Sequence, residues 1–210
     1  MIVKENTAAK KFEIAPAGSH MGRLYSIIDL GTQKSEWEGK VNFLRKVKFF
    51  FELFGKDDNG KALVTSENKP LIQTRNYTLS LGEKAALRID LQSWRGKAFT
   101  QEELKGFNLK NLLGKFCMVN IIHTDRQGNT YADCKGLSPV PNALRELGEP
   151  TPVNAIRYFS LDEYDPLIFA GLSEGLQKTI NESAEMRNAQ TIAVKEIKRT
   201  QEPLVDDIPF

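Results

Sequence analysis

The stretch Lys46-Val47-Lys48-Phe49-Phe50-Phe51-Glu52-Leu53 restricts the fold of this chain more than any other. Successive side chains of a strand point to opposite faces, so Val47, Phe49, Phe51 and Leu53 share one face. Lys46, Lys48, Phe50 and Glu52 share the other. The first row demands a core, and a helix would scatter it around its axis. The second row is polar apart from one ring. The surrounding text extends the strand from about Phe43 to Phe54, where Gly55-Lys56-Asp57-Asp58-Asn59-Gly60 ends it.

The same pattern recurs on both sides. Met21 to Leu30 reads as a first strand closed by Gly31-Thr32, and polar Gln33 to Asn42 reads as a loop around Trp37. Leu71 to Leu79 makes a third strand. The period then changes: Ser80-Leu81-Gly82-Glu83 has the form of a capping box, and Ala85, Leu87 and Leu91 fall at helical spacing up to Trp94. Thr100-Gln101-Glu102-Glu103 is a second capping box, opening a short helix to about Lys105. Leu109, Leu112 and Leu113, ended by Gly114, fit a further turn or two. Phe116 to Thr124 and Thr130 to Val140 are the last strands of the body, joined through Asp125-Arg126-Gln127-Gly128-Asn129 as a hairpin.

Beyond the body, Pro150 and Pro152 mark a linker, and Arg157 to Phe169 mixes aromatics with acids, as an arm packed on an apolar surface would. Ser173 opens a helix to about Ala189. The expected organisation is a flexible N-terminus over 1–13, a body over 14–141, an arm and helix over 142–190 and a flexible tail over 191–210. Three strands, a helical insert and a hairpin follow in the order of the OB fold, a five-stranded Greek-key barrel that binds oligonucleotides. The predicted class is therefore mainly β: an OB-fold barrel with a helical insert between strands three and four, a C-terminal helical arm and a disordered acidic tail. Other small five-stranded barrels share this order.

The balance of 40% hydrophobic and 27% charged residues is that of a soluble globular protein. No apolar run reaches the length of a membrane span and no signal peptide opens the chain, so no membrane partner is expected. Two cysteines, Cys117 and Cys134, form no disulfide framework, which points to a reducing cytoplasm. The net charge of +2 conceals an asymmetry: residues 1–140 carry +7 and residues 141–210 carry −5. A basic body with an acidic tail suits a nucleic-acid binder.

The outward row of strand two supplies the first binding candidates, Lys46, Lys48 and Phe50, with lysines for phosphates and a ring for a base. Phe50 equally suits a site covered by the C-terminal arm. Strand three offers Arg75 and Tyr77, set outward because burying an arginine in so small a barrel needs a partner. The opposite assignment of its two rows stays open. Trp37, between Lys34 and Lys40, is either a stacking residue or a lid. Arg45, Arg126 and Lys135 complete the set. Four to six phosphate contacts would give a log–log salt slope of roughly −3 to −4. This reading requires the wall of strands two and three to be open to a nucleotide chain.

The chain ends Val205-Asp206-Asp207-Ile208-Pro209-Phe210, with paired carboxylates, a stiffening proline and a terminal aromatic. This end resembles the C-terminal tip of bacterial single-stranded DNA-binding proteins, which implies that Asp206, Asp207, Ile208, Pro209 and Phe210 recruit replication, recombination and repair enzymes of host or phage. Longer stretches carry a second resemblance. Glu13-Ile14-Ala15-Pro16-Ala17-Gly18, Ile27 to Gln33, Tyr77-Thr78-Leu79-Ser80-Leu81 and Leu91-Gln92-Ser93-Trp94-Arg95-Gly96-Lys97 followed by Phe99-Thr100 are similar to a family of tailed-phage and prophage proteins. Asn111 to Lys115 and Phe169 to Ser173 extend the likeness over about residues 13–180. The family is described as OB-fold single-stranded DNA-binding proteins. It implies single-stranded DNA as ligand and, by analogy with the bacterial tetramers, leaves room for a homo-oligomer.

No catalytic constellation is visible. His20 and His123 are the only histidines, and there is no phosphate-binding loop of the form GxxxxGK[ST]. Cys117, His123 and Cys134 lack the close cysteine pair of zinc sites, so buried thiols are expected and neither metal nor cofactor is called for. Two other functions fit the text: an OB-fold adaptor that no longer binds DNA, and a metal-dependent nuclease.

Overall fold

A computed structural model describes residues 13–188. Those residues form a mainly β structure with a six-stranded antiparallel sheet. In chain order the elements begin with β1 (Gly18–Trp37), β2 (Lys40–Phe54) and β3 (Ile72–Thr78), followed by α1 (Ala86–Arg95), α2 (Gln101–Lys105) and a 3₁₀ turn (Leu109–Leu112). They continue with β4 (Phe116–Arg126), β5 (Asn129–Ser138), α3 (Asn142–Glu146), β6 (Arg157–Phe159), α4 (Pro166–Ala170) and α5 (Glu174–Asn181). The strands are joined along the path β3-β2-β1-β4-β5, with β6 pairing β1.

Contacts group the described residues into two compact units: 13–27, 49–75 and 80–157 in one, and 28–48, 76–79 and 158–188 in the other. In the first, the expected inward row of β2 is fully buried, with Phe49 and Phe51 at 0% exposure and Leu53 at 1%. Each such side chain contributes about 1.5–3 kcal/mol. Leu87, Leu91 and Trp94 form the buried stripe of α1, and the Trp94 ring meets Phe51 edge-on at 6.2 Å. Gly22 is buried, and a Cβ there would lie 2.6 Å from a Val119 methyl, so close approach of β1 to its neighbours requires glycine. In the second unit, Phe159, Tyr164 and Phe169 pack together with centroids 5.6–5.9 Å apart. The apolar arm read from the sequence has this aromatic cluster at its centre.

Two local expectations fail for physical reasons. Residues 33–42 are not a loop: β1 runs on to Trp37 and turns back through Glu38 and Gly39, at φ 49° and 73°. Two successive positive φ values make the two-residue turn whose twist matches paired strands. Gln127 and Gly128, at φ 51° and 78°, build the same turn between β4 and β5. Nor does Ser80 cap α1. Its hydroxyl accepts a hydrogen bond from the Gly82 amide at 3.1 Å, a local turn that competes with capping, and α1 begins at Ala86. The Thr100 capping box is present in full. The last helix is interrupted rather than continuous: α5 ends at Asn181, and after a turn at Glu182 and Ser183 the chain is helical again over 184–188.

Candidate nucleic-acid interface

The outward row of β2 is the largest correction. Glu52 is not solvent-facing but 0% exposed. Its Oε1 accepts from Arg23 Nε at 2.5 Å, while Oε2 accepts from the Asn154 amide at 2.8 Å, Asn154 Nδ2 at 2.7 Å and the Val153 amide at 3.3 Å. Arg23 in turn donates to the Asn154 carbonyl. An unpaired carboxylate could not be buried so deeply, and a buried arginine, two successive backbone amides and the Asn154 side-chain amide satisfy this one. Residues 153–154 therefore cover β2 at this point, and the wall is not the open surface that the sequence suggested.

Its neighbours fare differently. Phe50 is half-buried, edge-on to the Tyr25 ring at 6.3 Å. Lys48 is half-buried, and burial lowers its pKa from the ordinary lysine value. Lys46 is half-buried, its Nζ donating to Thr78 Oγ1 at 2.8 Å. Arg45 is held by Asp29 at 2.5 Å and Asp162 at 2.9 Å, and the Asp29 hydrogen bond raises its pKa further. These carboxylates neutralise it before any phosphate arrives.

Strand three takes the opposite orientation to the one preferred from sequence. Tyr77 points inward at 2% exposure. Arg75 has the partner that sequence reading did not find: Asp90 of α1, its Oδ2 2.6 Å from Arg75 Nε. Arg75 also donates to the Cys134 carbonyl, and Gln73 Nε2 donates to the Ala132 carbonyl at 3.0 Å. These two side chains fasten β3 to β5, the two ends of the strand path.

The exposed candidates lie on the two hairpins. At β4–β5, Arg126 and Lys135 have side chains 57% and 53% exposed. The Arg126 guanidinium lies 5.5 Å from the centre of the Tyr131 ring, itself 44% exposed. Asp133 sits between the cations. It accepts from Thr124 Oγ1 at 2.8 Å and from Arg126, and Lys135 Nζ is 3.8 Å away. The Thr124 hydroxyl, with Arg126, holds its carboxyl below the usual range. Opposite Asn120 the register shifts so that Lys135 is the extra residue of a bulge, which breaks the alternation of β5 and turns Lys135 outward. At β1–β2, Lys40 is exposed, with Val41 at 46% and Phe43 at 65% exposure. Trp37 ends β1, and its side chain lies outside the described residues, as does the tip Asp206–Phe210.

Tyr131 and Phe43 were missed as candidates. Tyr131 stands three residues past the predicted hairpin glycine Gly128, close enough to the turn to signal exposure, while Phe43 gives no signal beyond opening a strand. Cys117 and Cys134 are both buried, and burial raises both thiol pKa values, Cys117 most. Among the described residues no group of three His, Cys, Asp or Glu side chains could hold a metal ion, and no helix is long and apolar enough to cross a membrane. Neither the family models nor the curated proteins compared with this chain give a match.

Proposed function

We propose that this chain is an OB-fold protein of the phage type that its sequence resembles, holding single-stranded DNA with little sequence preference. The observation that carries the reading is the strand path β3-β2-β1-β4-β5 with a helical segment between β3 and β4. It is the neighbour order of an OB barrel opened between β3 and β5, where Gln73 and Arg75 bridge the gap. In such barrels the loops between strands one and two and between four and five grip the ligand. Here those connections are the hairpins that carry Lys40 and Phe43, and Arg126, Tyr131 and Lys135. A ring beside a solvated cation stacks on a base while the cation meets a phosphate, whichever base it is. DNA contact is accordingly assigned to the hairpins first, and to Lys46, Lys48 and Phe50 second. Arg45, Arg75 and Tyr77 are left to structural roles. No catalytic step belongs to the proposal. The tip Asp206–Phe210 would recruit replication, recombination or repair proteins.

One observation favours the adaptor reading: Arg45 and Arg75 are already paired and Glu52 is roofed by residues 153–154, so the expected wall is partly closed. Titration of the protein with fluorescent oligo-dT at low salt separates the two. Binding with a salt slope of roughly −2 to −4 supports the DNA reading. No binding leaves the adaptor. Removal of residues 205–210 should then abolish capture of partner proteins without weakening DNA binding.

A further inference from the structure

A cavity of about 580 Å³ opens beside α1, far larger than a packing defect and within the range of small-molecule sites. Its floor is apolar, formed by Trp94, Phe107, Leu112, Phe116, Val140 and Leu144. The Trp94 indole N–H is spent on the Phe116 carbonyl at 2.8 Å, so the ring offers the cavity only its apolar surface. Arg95, also in the lining, pairs with Glu103 through Nη2 and lies against the faces of Phe99 and Phe107, at 4.5 and 5.1 Å, while its buried Nη1 has no hydrogen-bond partner among the described residues. Two further cations line the opening, Lys115 and Arg145. Both are exposed, and neither has an ion pair among the described residues. Glu149 is the one carboxylate in the lining.

We propose that this cavity binds an amphiphilic carboxylate, its apolar body on the Trp94–Phe107–Leu144 floor and its head between Lys115 and Arg145. A nucleobase is a poorer occupant. Its ring nitrogens and carbonyls would face Leu112, Val140 and Leu144, which return no hydrogen bond. A bare phosphate would leave the apolar floor unused. The carboxylate has two sources, a free fatty or aromatic acid and the apolar C-terminal residue of a peptide. This site is independent of the DNA reading.

The test displaces 8-anilinonaphthalene-1-sulfonate, an aromatic anion, from the full-length protein with decanoate, with N-acetyl-Ile-Pro-Phe or with its C-terminal amide. Displacement by decanoate assigns a free acid; displacement by the peptide acid but not the amide assigns a chain end. In either case Lys115→Glu with Arg145→Glu, both at exposed positions, should weaken binding about tenfold or more. Leu144→Trp should obstruct the apolar floor and weaken probe binding, with a cooperative thermal melt retained as the sign of folding. The proposal is overturned if neither acid displaces the probe, if oligo-dT alone does, or if the charge reversals leave affinity unchanged in a protein that still melts cooperatively.

Discussion

Truncating Glu52 to alanine tests the closed face of β2 most directly. The carboxylate accepts four hydrogen bonds, from Arg23, the Val153 amide and both nitrogens of Asn154, and has no exposure to solvent. Each hydrogen bond to a charged group is worth roughly 1.5–3 kcal/mol, but they share one carboxylate and do not add. The guanidinium left behind costs more. Arg23 is 6% exposed, and breaking a buried ion pair from one side costs about 3–5 kcal/mol. For a chain of this size that lowers the melting temperature by roughly 6–20 °C. Glu52→Gln keeps the shape and some acceptors, and should be milder. Glu52→Leu with Arg23→Met removes both charges, and should recover most of the loss. Urea denaturation of the three variants and the parent supplies the free energies. A loss below about 1 kcal/mol for Glu52→Ala would refute the argument, because a carboxylate so placed cannot be removed cheaply if Arg23 stays buried.

Tyr131→Ala should weaken oligo-dT binding by about 1–3 kcal/mol, the stacking contribution of one base, without moving the melting temperature; fluorescence anisotropy reads this, and unchanged affinity would remove the β4–β5 hairpin from the interface. Asp133→Asn frees Arg126 and Lys135 from their shared carboxylate, and should tighten DNA binding and steepen its salt slope, measured in the same titration. Because the folded carboxyl of Asp133 titrates lower than the unfolded one, its stabilisation is present above the ordinary aspartate range near 3.9 and fades as pH falls through the folded value. Urea midpoints at pH 5 and pH 3 should therefore fall less in Asp133→Asn than in the parent. Cys117 and Cys134, buried and with raised pKa values, should resist a colorimetric thiol reagent at pH 8 in the native protein and react fully in guanidinium. Prompt reaction of the native thiols would contradict their placement.

The sequence was legible where neighbours in the chain decide the outcome. Val47, Phe49, Phe51 and Leu53 announce a core face because a strand has a period of two. Thr100 and Glu103 announce a cap because both partners lie within one turn. It was opaque where the deciding partner is remote. Glu52 alternates like an outward residue, and only Arg23, twenty-nine positions earlier, and Asn154, over a hundred later, make its burial tolerable. Sequence alone offers Arg75 no counter-charge, yet Asp90 supplies one from a helix whose docking position alternation cannot reveal. Gly31-Thr32 resembles a strand end, but the positive φ of 71° at Gly31 only bends β1 before it continues. For the candidate site, residue type is readable and accessibility is not. Lysines and rings were found, while the competing carboxylates Asp29, Asp162 and Asp90 appear only after folding.

The fastening of β3 to β5 by Gln73 and Arg75 has a further consequence. Backbone ladders are indifferent to side-chain identity, so a seam made by them survives most substitutions; a link made through the Gln73 and Arg75 side chains depends on those two residues. Without them, the Ala132 and Cys134 carbonyls would lose these donors, and an unpaired strand border is a template for the same border on another copy. Drift at either position should thus surface first as self-association at high concentration.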